Sequence, residues 1–230
     1  MVQKNSFIVI EGVDGAGKTT QVKLLEERFR QSGRATAYIH FPQHEESFFG
    51  RFIDRYLRGE FGHPDQIDSH FIAHAYLADF FEAKANLEVS LAQGKIVLCD
   101  RYLPSTLAIQ TIHVPEEARA QLREWIETAA YKVYNIVRPS LVIVIDLPAE
   151  KAHKMIAKKQ SRQYLNGGSR DIHEADISFL AEMRKNYLEL AGLHDWPVID
   201  SMAGDRLKSL EEIHEEVWDI LLGHKFLSHL

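Results

Sequence analysis

Residues 12–19 read Gly12-Val13-Asp14-Gly15-Ala16-Gly17-Lys18-Thr19, the pattern G-x-x-x-x-G-K-[ST]. That spacing suits the holding of a polyphosphate. The glycines let the backbone curl until its N–H groups converge on phosphate oxygens. A helix opening at Lys18 adds the positive end of its dipole. Lys18 is placed for the β- and γ-phosphates, and Thr19 for a Mg²⁺ ion. The candidate nucleotide-binding set is Gly12, Asp14, Gly15, Ala16, Gly17, Lys18, Thr19 and Thr20. The alternative, a glycine-rich turn with an incidental lysine, is disfavoured by a strand pattern before the motif and a helix pattern after it. A phosphate loop alone leaves GTPases, motor ATPases and small kinases open. No Asn-Lys-x-Asp segment for reading guanine is present, and 230 residues leave little room for a motor's accessory domains.

A second constellation is Asp100-Arg101-Tyr102, at the end of an apolar run. Ligands of parallel sheets bind beyond the carboxyl ends of the strands, so this triplet is expected to face the same crevice as the loop. Asp100 is then a candidate for the Mg²⁺ shell or for orienting an acceptor. Arg101 is a candidate phosphate clamp. Asp14 lies inside the loop, where bound phosphates repel a carboxylate, so it is expected to serve another group, such as a sugar hydroxyl. Asp146 also ends a strand pattern, but Leu147-Pro148 points to a helix start and a structural role. His70 and His74 share a helix face, yet no third metal ligand is indicated. Cys99, the single cysteine, reads as a small buried hydrophobe.

The elements that must position these residues alternate between apolar runs and helical patterns, the signature of βαβ units. Strands are expected at Phe7–Glu11, Thr36–Phe41, Ile96–Asp100, Leu141–Asp146 and Pro197–Asp200. Leu141–Asp146 is apolar up to its last residue, as a doubly covered central strand should be. Helices are expected from Lys18 to about Gln31, over Ser47–Leu57, from Asp68 or Ser69 to about Gln93, after Pro104, from Pro115 to about Val133, from Pro148 to about Lys159, over Asp176–Ala191 and over Leu207–Leu222. Gln160–Ile172 is polar, basic and glycine-containing, and reads as a mobile loop. The expected fold is α/β, three layers around a five-stranded parallel sheet, in one domain spanning residues 1–230.

Composition agrees. Hydrophobic residues make up 45% and charged residues 26%, an ordinary globular mix. With 27 Lys+Arg against 33 Asp+Glu the net charge is −6, which argues against a nucleic-acid partner. No apolar run spans a bilayer and no signal peptide pattern opens the chain. One cysteine suits a reducing cytoplasm.

FIVIEGVDGAGKTTQ, Phe41-Pro42, Asp100-Arg101-Tyr102 and DISFLAEMRKNYLELA at 176–191 together resemble the thymidylate kinases, from about residue 6 to residue 222. The resemblance implies ATP + dTMP → ADP + dTDP, Mg²⁺ dependence, a P-loop NTPase fold with a short LID at about 158–172, and a homodimer. It places Asp14 against the acceptor's 3′-hydroxyl and Lys18 and Thr19 on ATP and Mg²⁺. Asp100 and Arg101 become the acidic and phosphate-binding residues. Phe41, Tyr76, Phe80, Ser105 and Gln110 become the acceptor pocket, with Tyr76 stacking on thymine. Members with glycine at the position of Gly15 take their catalytic cation from the LID, which implicates Arg162 and Arg170 ahead of Lys158 and Lys159, because a planar fork suits a phosphoryl group in transfer. Departures fall on the acceptor side. Phe80 stands where an arginine usually reads the pyrimidine. Gln43-His44-Glu45 stands where an arginine follows Phe-Pro, leaving His44 and Arg51 nearby. Ile109 replaces a tyrosine, and Asp171-Ile172 replaces an Asp-Arg pair. A same-fold kinase with another acceptor, or a nucleotide-binding protein without phosphoryl transfer, stays open on these grounds.

Overall fold

A computed structural model describes residues 6–163 and 176–224, with backbone only at 45, 65 and 159–163. Five parallel strands form the main sheet: β1 (Phe7–Gly12), β2 (Thr36–His40), β3 (Ile96–Asp100), β4 (Leu141–Asp146) and β5 (Val198–Asp200), in the order β2-β3-β1-β4-β5. Every residue of β1, β3 and β4 is buried, which is why these runs carry no alternation of polar and apolar residues. The register pairs Ile10 with Asp100 and Gly12 with Ile145. It therefore brings the carboxyl ends of β1, β3 and β4 to one edge.

Helices cover the sheet: α1 (Lys18–Gln31), α2 (Phe48–Leu57), α3 (Ser69–Ala92), α4 (Leu103–Gln110), α5 (Glu116–Thr128), α6 (Ala149–Gln163), α7 (Ile177–His194) and α8 (Leu210–Gly223). Their starts follow local capping chemistry. Asp68, Asp176 and Ser209 each accept a backbone N–H of the following turn, and Ser209 with Glu212 forms a reciprocal capping box. Phe29, Leu25 and Val22 of α1 are fully buried. Phe29 also meets Trp218 of α8 at 5.1 Å between ring centroids.

Three details differ from the sequence expectation. α6 continues through Gln163, so the start of the expected loop is helical. No glycine or proline interrupts 149–163; polarity alone marks an exposed face rather than a break. The last helix begins at Leu210, not Leu207. The residues before it form a short antiparallel pair, β6 (Met202–Ala203) with β7 (Arg206–Leu207). Finally, α5 passes at Ala129–Val133 into a π-helical turn. Residues 164–175, which hold Arg170 and most of the expected LID, lie outside the described residues. So does the side chain of Arg162.

Candidate active site

The phosphate loop joins β1 to α1. Gly12 has φ +140°, and a Cβ there would sit 2.4 Å from the Ile145 carbonyl oxygen of β4. Gly15 has φ +82°, and its Cβ would meet Ala152 of α6 at 2.9 Å. The loop is thus wedged between β4 and α6 in a conformation that suits only glycine at these points. No side chain caps α1, and its first turn holds no acidic residue. Its amide donors and dipole are left for an anion.

Lys18 is buried, and its Nζ donates to the Val13 carbonyl at 2.9 Å. Burial, with Arg101 nearby, lowers its pKa to about 8. Thr19 Oγ1 donates to Asp100 Oδ2 at 2.5 Å. The two expected metal residues therefore meet, Thr19 from the first turn of α1 and Asp100 from the end of β3. They offer a hydroxyl and a carboxylate, the hard oxygen donors that suit Mg²⁺.

Arg101 follows with φ +67°. Its guanidinium forms an ion pair with Asp14 and donates to Ser105 Oγ at 3.3 Å. Asp14, Asp100 and Glu11 hold the guanidinium charged against its burial. Asp14, expected to serve a sugar hydroxyl, is paired here with Arg101.

Beneath this pair lies a buried carboxylate to which the sequence reading gave no role. Glu11 accepts from the backbone N–H of Tyr102 at 2.8 Å and from Ser105 Oγ at 2.7 Å. It also accepts from Tyr187 Oη at 2.9 Å. Burial raises its pKa, and Arg101 and these donors oppose the rise. Glu11 ends an apolar strand one residue before the loop, a signal readable in hindsight. Tyr187 lies 176 residues away, beyond any spacing argument.

These groups open onto a cleft of about 560 Å³. Asp14, Gly15, Gly17, Lys18, Thr19, Thr20, Asp100 and Arg101 line it, together with Phe41, Tyr76, Phe80, Ser105 and Gln110. All of the expected acceptor residues are therefore brought together, whereas Gly12 and Ala16 of the loop are buried. Phe80 is 2% exposed and meets Phe41 edge-on at 4.7 Å, so it forms floor rather than a polar contact. Tyr38, His40, His44, Leu57, Thr106, Met155 and Met183 also line the cleft. Three buried polar atoms there have no hydrogen-bond partner: Tyr102 Oη, Thr106 Oγ1 and Gln110 Nε2.

Asp146 receives Arg184 of α7 in two hydrogen bonds of 2.5 and 2.8 Å, a structural clamp. His70 and His74 flank Trp125, and their Nδ1 atoms lie 2.7 Å from Asp68 and 3.1 Å from Tyr134 respectively. Cys99 is buried, and burial raises its thiol pKa well above the usual value.

A parallel sheet with a Lys-Thr phosphate loop facing an Asp-Arg pair defines a P-loop phosphotransferase. Residues 10–217 match the thymidylate kinase family. A probable thymidylate kinase of Thermococcus onnurineus is 36% identical over 231 residues, covering 96% of this chain and 98% of its own. One of Pyrococcus abyssi is 33% identical over 225 residues, covering 96% and 97%. A thymidylate kinase of Syntrophotalea carbinolica is 29% identical over 219 residues, covering 92% and 93%. The chain belongs to the thymidylate kinase family and is an ATP-dependent phosphotransferase that acts on dTMP.

Proposed function

We propose that the 560 Å³ cleft performs this transfer with a division of labour between its two sides. The loop amides, the α1 N-terminus and Lys18 hold the ATP phosphates. Thr19 and Asp100 would hold Mg²⁺, which would supply neutralisation of phosphate charge. Arg101, fixed by Asp14 and the Glu11 network, meets the acceptor phosphate and keeps it in line with the γ-phosphoryl group. Catalysis by such a site is positioning and electrostatic stabilisation in a water-poor cleft. Tyr76 and the aromatic floor take the base. Gln110 and Thr106, polar residues of the cleft lining, are assigned to its edge. Gly15 brings no charge to the transferred group, so the further cation comes from Arg162, in the last turn of α6, or from Arg170. A homodimer is the proposed assembly. Among the described residues no helix is long and apolar enough to cross a membrane.

The observation that carries this reading is the meeting of Thr19 with Asp100 and of Asp14 with Arg101 in one cleft. A panel of nucleoside monophosphates with ATP–Mg²⁺ and coupled ADP detection tests it. dTMP is expected to be the preferred acceptor. dCMP should be disfavoured by no more than about a hundredfold, because the charged donor, worth about 1.5–3 kcal/mol, that would favour O4 over an amino group is missing at Phe80. Preference for a purine monophosphate overturns the reading.

A further inference from the structure

α4 carries one wall of the cleft, yet it is only eight residues long and no side chain caps its start. Thr106 and Gln110, one turn apart on one face, line the cleft with Ser105 and Ile109. A helix of about two turns has few hydrogen bonds of its own, so its placement depends on what holds its ends. Carbonyls near a helix end lose their intrahelical partners. Here buried side chains take three of them. Thr111 Oγ1 donates to the Leu107 carbonyl at 2.8 Å, Asn186 Nδ2 to that of Ala108 at 2.8 Å, and Ser69 Oγ to that of Gln110 at 3.1 Å.

Asn186 of α7 is fully buried, as is Thr111, and its amide joins three helices. Arg119 of α5 donates from Nη1 to Asn186 Oδ1 at 3.4 Å. A guanidinium only donates, so this contact turns the amide oxygen towards α5 and the NH₂ towards α4. The same NH₂ donates to Thr111 Oγ1 at 3.1 Å, which leaves the Thr111 hydrogen for Leu107. Glu182, one turn earlier on α7, pairs with Arg119 at 3.3 Å and holds the guanidinium in place. Every donor in this chain of contacts points from α5 through α7 into the last turn of α4.

Tyr187, the next residue of α7, reaches Ser105 Oγ at 2.8 Å. Tyr187 thus braces the end of α4 nearest Arg101, and Asn186 braces the end that carries Gln110. We propose that Asn186 is a positioning residue for the acceptor base: through the Ala108 carbonyl and Thr111 it sets where Thr106 and Gln110 stand in the pocket. This rests on the dTMP reading above, which assigns the base edge to those two residues.

Asn186→Asp tests it, because the side chain keeps its shape and its Arg119 contact but sets an oxygen against the Ala108 carbonyl. Binding of dTMP and of thymidine to the intact protein is measured by calorimetry at pH 7.5, with steady-state kinetics beside it. A lost hydrogen bond and two opposed acceptors should weaken dTMP and thymidine alike, by about tenfold, because the base is common to both. The KM for dTMP should rise by that factor, while kcat and the KM for ATP move by less than about twofold. Thr111→Val, which keeps the branched shape and loses only the hydroxyl, should give the same pattern at about threefold. It decides the matter if the aspartate variant does not fold. Equal rises in the KM for dTMP and for ATP, or thymidine binding as tight as in the parent, overturn the proposal alone. A parent protein that binds neither dTMP nor thymidine overturns the dTMP reading with it.

Discussion

At the residue scale the site is built from charges that only make sense in pairs. Arg101 and Asp14 neutralise each other in a cleft where either alone would be costly to bury. Glu11 anchors the pair from below through Ser105 and Tyr187. Tyr187→Phe is expected to remove one buried hydrogen bond to a charged group, destabilising the protein by about 1.5–3 kcal/mol. It should also loosen Arg101, whose Nη1 lies 3.5 Å from Tyr187 Oη. The KM for dTMP should then rise severalfold with a smaller change in that for ATP. Thermal melting and steady-state kinetics check both parts, and equal effects on the two substrates would show that Tyr187 serves the fold alone. Lys18, Thr19, Asp100 and Arg101 were legible in the sequence because short motifs encode them. Glu11 and Tyr187 were not. Their partners are set by strand register and helix packing, which no local spacing records.

Elements hold these residues by close backbone approach. The phosphate loop is clamped between β4 and α6, with Gly12 against Ile145 and Gly15 against Ala152. Gly15→Ala should cost about 1–2 kcal/mol for its positive φ alone. Because the new methyl meets Ala152 at 2.9 Å and Met155 at 3.1 Å, it should push α6 from the loop. ATP affinity should fall more than dTMP affinity, as paired binding isotherms would reveal. Among the elements, β1, β3 and β4 were readable because burial on both faces makes a strand continuously apolar. The β6–β7 pair was not, since two-residue strands are too short to show a period. The extension of α6 to Gln163 was missed because its polar face resembles a loop in composition.

For the whole molecule, the five-stranded parallel sheet and its helical layers matched what alternating strands and helices imply. The assembly was less legible. α3 exposes Phe71 at 73% and Val89 at 55%. They stand 18 positions apart, five turns at about 3.6 residues each, and so share a face. Phe81, on the same helix, is 53% exposed. If this face joins two copies, light scattering behind size exclusion should give twice 26.4 kDa. Phe71→Glu with Val89→Glu should then give a monomer. A monomeric parent protein at micromolar concentration would remove this face from the account of assembly.

The central claim is that one cleft carries a phosphoryl group from ATP to dTMP through Lys18 and its partners. Single-turnover reaction with ATP labelled at the γ-phosphate, followed by separation of the nucleotides, tests it most directly. In the parent protein the label should appear in dTDP. In Lys18→Ala, with circular dichroism unchanged, the transfer rate should fall by about 10²–10³, the loss seen when one preorganised charge-stabilising group is removed. Label appearing only in inorganic phosphate, or transfer at an undiminished rate in the folded variant, would contradict the account.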